Sequence, residues 1–162
     1  MRFTRSNRAI STLAVVALLI SGTAAQSAKH QFCQPVGGML MTNLGAVDQA
    51  TTMGPATGDL KGAVGATILS TEVNGNTLVL HVQHHWVTDA GDTLAIDPAD
   101  ATTTQVSPGL YAVVTYPVRL RGGTGRYVHA TGDFTNIGEA NLVTGQIVLR
   151  YTGHICFASG TN

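Results

Sequence analysis

From Thr77 to Val87 the chain alternates strictly. Leu78, Leu80, Val82, His84 and Trp86 share one phase, and Val79, His81, Gln83, His85 and Val87 share the other. A period of two is the repeat of a pleated strand; a helix would repeat its apolar face every three to four residues. The first set is the better core face. Directly before this strand, Asn74-Gly75-Asn76 tolerates the positive φ values that a short hairpin requires, so residues 60–73 form its antiparallel partner, with Val64, Ala66 and Ile68 on one face.

The rest of the chain fits the same architecture. No window of twelve or more residues keeps a helical apolar period, whereas Gly, Thr and Val recur between turn residues. Residues 37–47 read as a first strand, followed by a loop over 48–59 that contains Gly54, Pro55 and Gly58. Residues 90–108 read as a polar turn region with a short strand around 93–96. Residues 110–120 form a strand whose Pro117 marks an edge or a bulge. A glycine-rich turn leads into a strand from Arg126 to Asn136, and residues 142–157 close the chain with Ile147, Leu149, Tyr151, Ile155 and Phe157 in one phase. Six to eight antiparallel strands describe a closed barrel or a sandwich, and the barrel is preferred because closure removes exposed sheet edges.

The first 25 residues have a different purpose. Arg2, Arg5 and Arg8 precede an apolar run over residues 9–20, and small residues over 21–25 supply a cleavage site, which together make a signal peptide. The remaining 26–162 form a single domain, exported to the medium, a cell wall or a periplasm. Cleavage removes three of the nine basic residues and none of the nine acidic ones, leaving a net charge of −3. With no basic stripe and no further apolar span, neither nucleic acid nor a membrane is an expected partner. Cys33 and Cys156 are an even pair near opposite ends. A bridge between them would close a loop of more than a hundred residues, and two separate buried thiols are the alternative.

Sites of familiar chemistry are scarce. His81, His84 and His85 cluster, but His84 faces opposite to the others, and His81 and His85 stand roughly 13 Å apart along an extended strand. No metal and no cofactor is expected. Asp89 and Asp92 in T-D-A-G-D-T suit turn chemistry better than a calcium loop, and no G-x-S-x-G is present.

Gly122 to Gly132 reads G-G-T-G-R-Y-V-H-A-T-G, and its G-T-G, following aromatic and alternating Ala130 and Gly132 resemble the signature of dirigent proteins and allene oxide cyclases. Residues 47–55, V-D-Q-A-T-T-M-G-P, and Gly62-Ala63-Val64-Gly65 are similar to two further segments of that family. The resemblance runs from about Cys33 to Cys156. It implies an all-β, eight-stranded antiparallel up-and-down barrel, a bridged Cys33–Cys156 pair, frequent trimers, and a largely apolar pocket at one end. It further implies a small apolar ligand whose coupling or cyclisation is steered by shape and exclusion of water. Two family positions differ: Gln49 stands where dirigent proteins carry a second aspartate, and Val128 where they carry an arginine, so lignan-type coupling is not expected.

The core-facing phase then places a pocket at His84 and Trp86, Tyr111 or Tyr116, Val128 and Tyr151, with Asp48 and His84 as candidates to polarise a carbonyl or move a proton. The alternative for these residues is that Trp86 and Tyr151 fill the barrel. For the whole protein it is a non-catalytic extracellular barrel with a structural or interaction role.

Overall fold

A computed structural model describes residues 31–158, nearly all of them in strands. The expected signal peptide, residues 1–25, lies outside the described residues. The strands are β1 (Gln31–Leu44), β2 (Thr51–Ala56), β3 (Gly62–Asn74), β4 (Thr77–Thr88), β5 (Thr93–Ile96), β6 (Ala99–Ser107), β7 (Leu110–Thr115), β8 (Pro117–Gly123), β9 (Thr131–Asn141) and β10 (Gln146–Ala158). Short 3-10 turns at Gly58–Leu60 and Gly125–Tyr127 are the helical elements among them.

Ten segments make eight staves. β5 and β6 both pair with β4 and are separated by Asp97-Pro98, whose proline has no N–H for a ladder. β7 and β8 both pair with β9 and are separated by Tyr116. Each stave is antiparallel to its neighbours in sequence, and β10 returns to pair with β1, closing an eight-stranded up-and-down barrel. The Cys33–Cys156 disulfide crosses that closing seam, where the two residues are direct partners in register. Among the described residues no helix is long and apolar enough to cross a membrane.

Two segments expected to be irregular are strands. The loop assigned to residues 48–59 contains β2, and the polar region over 90–108 contains β6 as well as β5. Both are rich in threonine, whose branched β-carbon suits a pleated surface as well as valine does, so polarity there does not signal a loop. The strand expected from Arg126 starts at Thr131 instead, because residues 125–127 form the 3-10 turn. The hairpin at Asn74-Gly75-Asn76 forms as expected, with Asn74 opposite Thr77 and Gly75 at φ 59°.

One end of the barrel is closed. The β2–β3 connection folds inward and buries Leu60, which is 2 % exposed. The Leu60 N–H donates to Tyr151 Oη at 2.9 Å, Trp86 Nε1 donates to the Leu60 carbonyl at 2.9 Å, and Tyr151 Oη donates to the Thr57 carbonyl at 2.8 Å. The two rings meet edge to face with centroids 5.5 Å apart. Gly38 makes this packing possible, since a β-carbon there would collide with the Thr57 carbonyl.

The glycine-rich turn seals the same end from the β8–β9 side. Thr124 and Thr93 exchange hydrogen bonds, the Arg126 N–H reaches Asp92, and Gly125 sits at φ 53° against the Asp92 carboxylate where a side chain would not fit. Tyr127 is buried below this turn, and the Arg126 guanidinium lies 5.2 Å from its ring centroid. The G-T-G motif is therefore a structural closure in this chain.

Candidate functional site

The opposite end of the barrel is not filled. On β4 the inward side chains run Leu80, Val82, His84, Trp86 toward the closed end, and the first three line a cavity of about 70 Å³. On β10 the cavity is lined by Ile147 and Leu149, and the next inward residue is Tyr151. His84 therefore marks the floor, and the Trp86–Tyr151 plug begins one inward step below it. The space exists because inward positions near the open end are small: Thr42, Thr52, Ala66, Ala101 and Ala140. A water occupies about 10–15 Å³ by the same measure of volume, so the cavity itself takes several waters or a short apolar group, and the remainder of a longer ligand would extend out through the open end.

The floor carries a paired histidine and tyrosine. Tyr116 Oη lies 2.7 Å from His84 Nε2, both residues are buried, and their ring centroids are 5.4 Å apart. Tyr116 reaches the interior because of a bulge. Val113 stands opposite Gly138 and Pro117 opposite Thr135, so three residues of one strand face two of the other, and the inward phase shifts from Val113 to Tyr116 and Val118. The Asn136 N–H donates to the Tyr116 carbonyl at 3.0 Å and holds the bulge in place.

Burial governs the chemistry of both groups. It pushes the His84 imidazolium down to about 4, with the neighbouring His85 adding to the shift, and it pushes the Tyr116 phenol up. At neutral pH the pair is uncharged, and His84 Nδ1 is buried without a hydrogen-bond partner. Such a dyad can donate and accept hydrogen bonds within an otherwise apolar wall.

Folding stability should follow this titration. A histidine free to charge at about 6.5 when unfolded and held neutral down to about 4 when folded binds more protons unfolded between those limits. Stability is fully present above pH 6.5 and falls as the pH drops toward 4, by roughly 3 kcal/mol over the whole window. Asp48 and Asp89 have lowered carboxyl values and lose their contributions only below about 3.8, outside this window. Urea unfolding at pH 7 and pH 4.5 should resolve the loss in the wild type and find it absent in His84→Leu. A flat wild-type profile would contradict a buried neutral His84.

The other candidate residues lie elsewhere. Trp86 and Tyr151 are inside the barrel but below the cavity, clamped on Leu60. Tyr111 is half-buried beside the β6–β7 turn, opposite Ala140, and borders a second groove rather than the cavity. Val128 follows the glycine turn at the closed end and is 39 % exposed. Asp48 lies in the β1–β2 turn at the open end, but it is exposed and its carboxylate accepts from the Ala50 N–H and the Thr51 hydroxyl. These bonds hold it well below the usual carboxylate range. On the outer face His81 pairs with Asp100 at 2.7 Å.

Of the candidate site residues, His84 alone lines the cavity together with Tyr116, the alternative to Tyr111. The signal that locates the cavity is the run of Ala and Thr at inward positions, which periodicity marks only as interior. Among the described residues no group of three or more His, Cys, Asp or Glu converges. Compared with models of known protein families and with curated proteins, the chain matches none.

Proposed function

We propose that this protein is an exported dirigent-like or allene oxide cyclase-like barrel that binds a small, largely apolar molecule in its open half and steers that molecule's cyclisation or coupling. The observation that carries the reading is the apolar cavity floored by the buried His84–Tyr116 pair. A folded domain gains nothing in stability from leaving an inner end unfilled, and a polar pair at the bottom of an apolar well suits orientation of a ligand. Export rests on the N-terminal signal pattern and agrees with the disulfide.

The test is to fill the cavity. N-phenylnaphthylamine, whose fluorescence rises on entering an apolar site, should bind the wild type and bind Ala66→Phe at least about tenfold more weakly, a difference of roughly 1.4 kcal/mol. Equal affinity for the two proteins would move binding off the cavity and overturn the reading.

A second reading is favoured by the outer surface. Met39, Val106, Ile137 and Val148 are exposed, and with Leu110 they line a shallow groove across β1, β10, β9, β7 and β6. An apolar outer face of this kind suits a non-catalytic extracellular barrel that works through association, including the trimer implied by the family resemblance. Retained fluorophore binding in Ala66→Phe is the outcome that would favour it.

A further inference from the structure

We infer that the cavity selects a neutral ligand carrying an alcohol or carbonyl oxygen at its leading end, seated on the His84–Tyr116 pair, and discriminates against carboxylates and amines. This inference rests on the pocket reading above and adds the chemical class of the ligand. No Lys, Arg, Asp or Glu lines the cavity, and its polar side chains are Thr42, Thr52, His84 and Tyr116. A carboxylate or ammonium driven to the floor would be a buried charge with no counter-charge, which is far costlier than a buried neutral group.

The hydrogen-bonding capacity of the floor is incomplete. The Tyr116 hydroxyl and His84 Nε2 satisfy one another, but His84, only 6 % exposed, retains a buried Nδ1 with no partner. If Tyr116 donates to Nε2, the pair offers an Nδ1–H donor and a phenolic acceptor. If Nε2–H donates to Tyr116, it offers a phenolic donor and a bare Nδ1 acceptor. An alcohol can meet either arrangement, and a carbonyl can accept from the donor in each. A plain hydrocarbon meets neither and leaves a buried polar atom unsatisfied. The wall above the floor, formed by Ile68, Leu80, Val82 and Ile147, accommodates the apolar body of the ligand, which extends toward the open end.

The experiment uses displacement of N-phenylnaphthylamine from the oxidised protein by five seven-carbon probes: heptane, heptanol, heptanone, heptanoate and heptylamine. In the wild type the alcohol and ketone should bind about five- to tenfold more tightly than heptane, the increment of one hydrogen bond. Heptanoate and heptylamine should bind more weakly than either. In the double variant His84→Leu/Tyr116→Phe the advantage of alcohol and ketone over heptane should disappear while heptane still binds. Equal binding of heptane and heptanol by the wild type, or tighter binding of heptanoate, overturns the inference and leaves the pocket reading standing. Failure of every probe to displace the fluorophore overturns the pocket reading itself. The wild-type comparison decides the matter even if the double variant does not fold.

Discussion

Replacing both cysteines, Cys33→Ser with Cys156→Ser, should lower unfolding stability by about 4–5 kcal/mol, the chain-entropy value for a loop of this length. The two residues are 123 apart in sequence, so their bridge removes a large share of the unfolded chain's freedom. That loss would be a large fraction of the 5–15 kcal/mol typical of a domain. The position of the bridge makes the effect structural as well as entropic. Among the described residues, β1 and β10 form the only pairing that joins the two ends of an otherwise sequential meander, with thirteen residue pairs in register from Gln31–Ala158 to Asn43–Gln146. Without the bridge, the seam depends on ladder hydrogen bonds and on the inward packing of Val36, Leu40, Leu149, Tyr151 and Ile155. Urea unfolding of the oxidised wild type against the double variant measures the difference. A loss below about 1 kcal/mol would show that the unfolded chain already holds its ends together.

How much of this was legible in the sequence depended on what each residue's signal encodes. Alternation in β4 gave the strand, its inward face and the hairpin before it, because Val82, His84 and Trp86 bury on one side with Leu80 half-buried beside them. The threonines of β2 and β6 carry no such contrast, and the strands they form were not distinguishable from loops. Periodicity also reports the face of a residue and not its height along the barrel axis. Trp86 and His84 share a phase, but the first lies in the closed half and the second at the floor of the cavity. Tyr116 was harder still, since a one-residue bulge reverses the phase of its strand and composition does not mark where the extra residue falls. Asp48 has an acid's chemistry in the sequence, and in the structure its oxygens are committed to its own turn. The Gly122–Gly132 motif was legible as a turn feeding a strand; that it closes the barrel end remote from the cavity follows only from its contacts with Asp92 and Thr93.

The division of the barrel into a filled half and an open half predicts that equal-looking core truncations will have unequal costs. Trp86→Ala should destabilise the protein by about 3–5 kcal/mol, at the upper end for an aromatic truncation. The residue supplies a large buried surface, an edge-to-face contact with Tyr151 and the only donor to the Leu60 carbonyl among the described residues. Its removal leaves a void beneath the inward-folded β2–β3 connection and an acceptor without a partner, and the polar loss alone is worth about 1–3 kcal/mol when buried. Trp86→Phe separates the two effects, since it keeps most of the ring and loses the N–H. Val113→Ala in the open half should cost only about 1–2 kcal/mol, because the side chain borders space that is already empty and fewer packed contacts are lost. The same variant should enlarge the cavity and leave N-phenylnaphthylamine binding intact or stronger. Urea unfolding and fluorescence titration on the three variants read both properties together. Comparable destabilisation by Trp86→Ala and Val113→Ala would mean that the open end is packed in solution as tightly as the closed one, and the barrel would then have no room for a ligand.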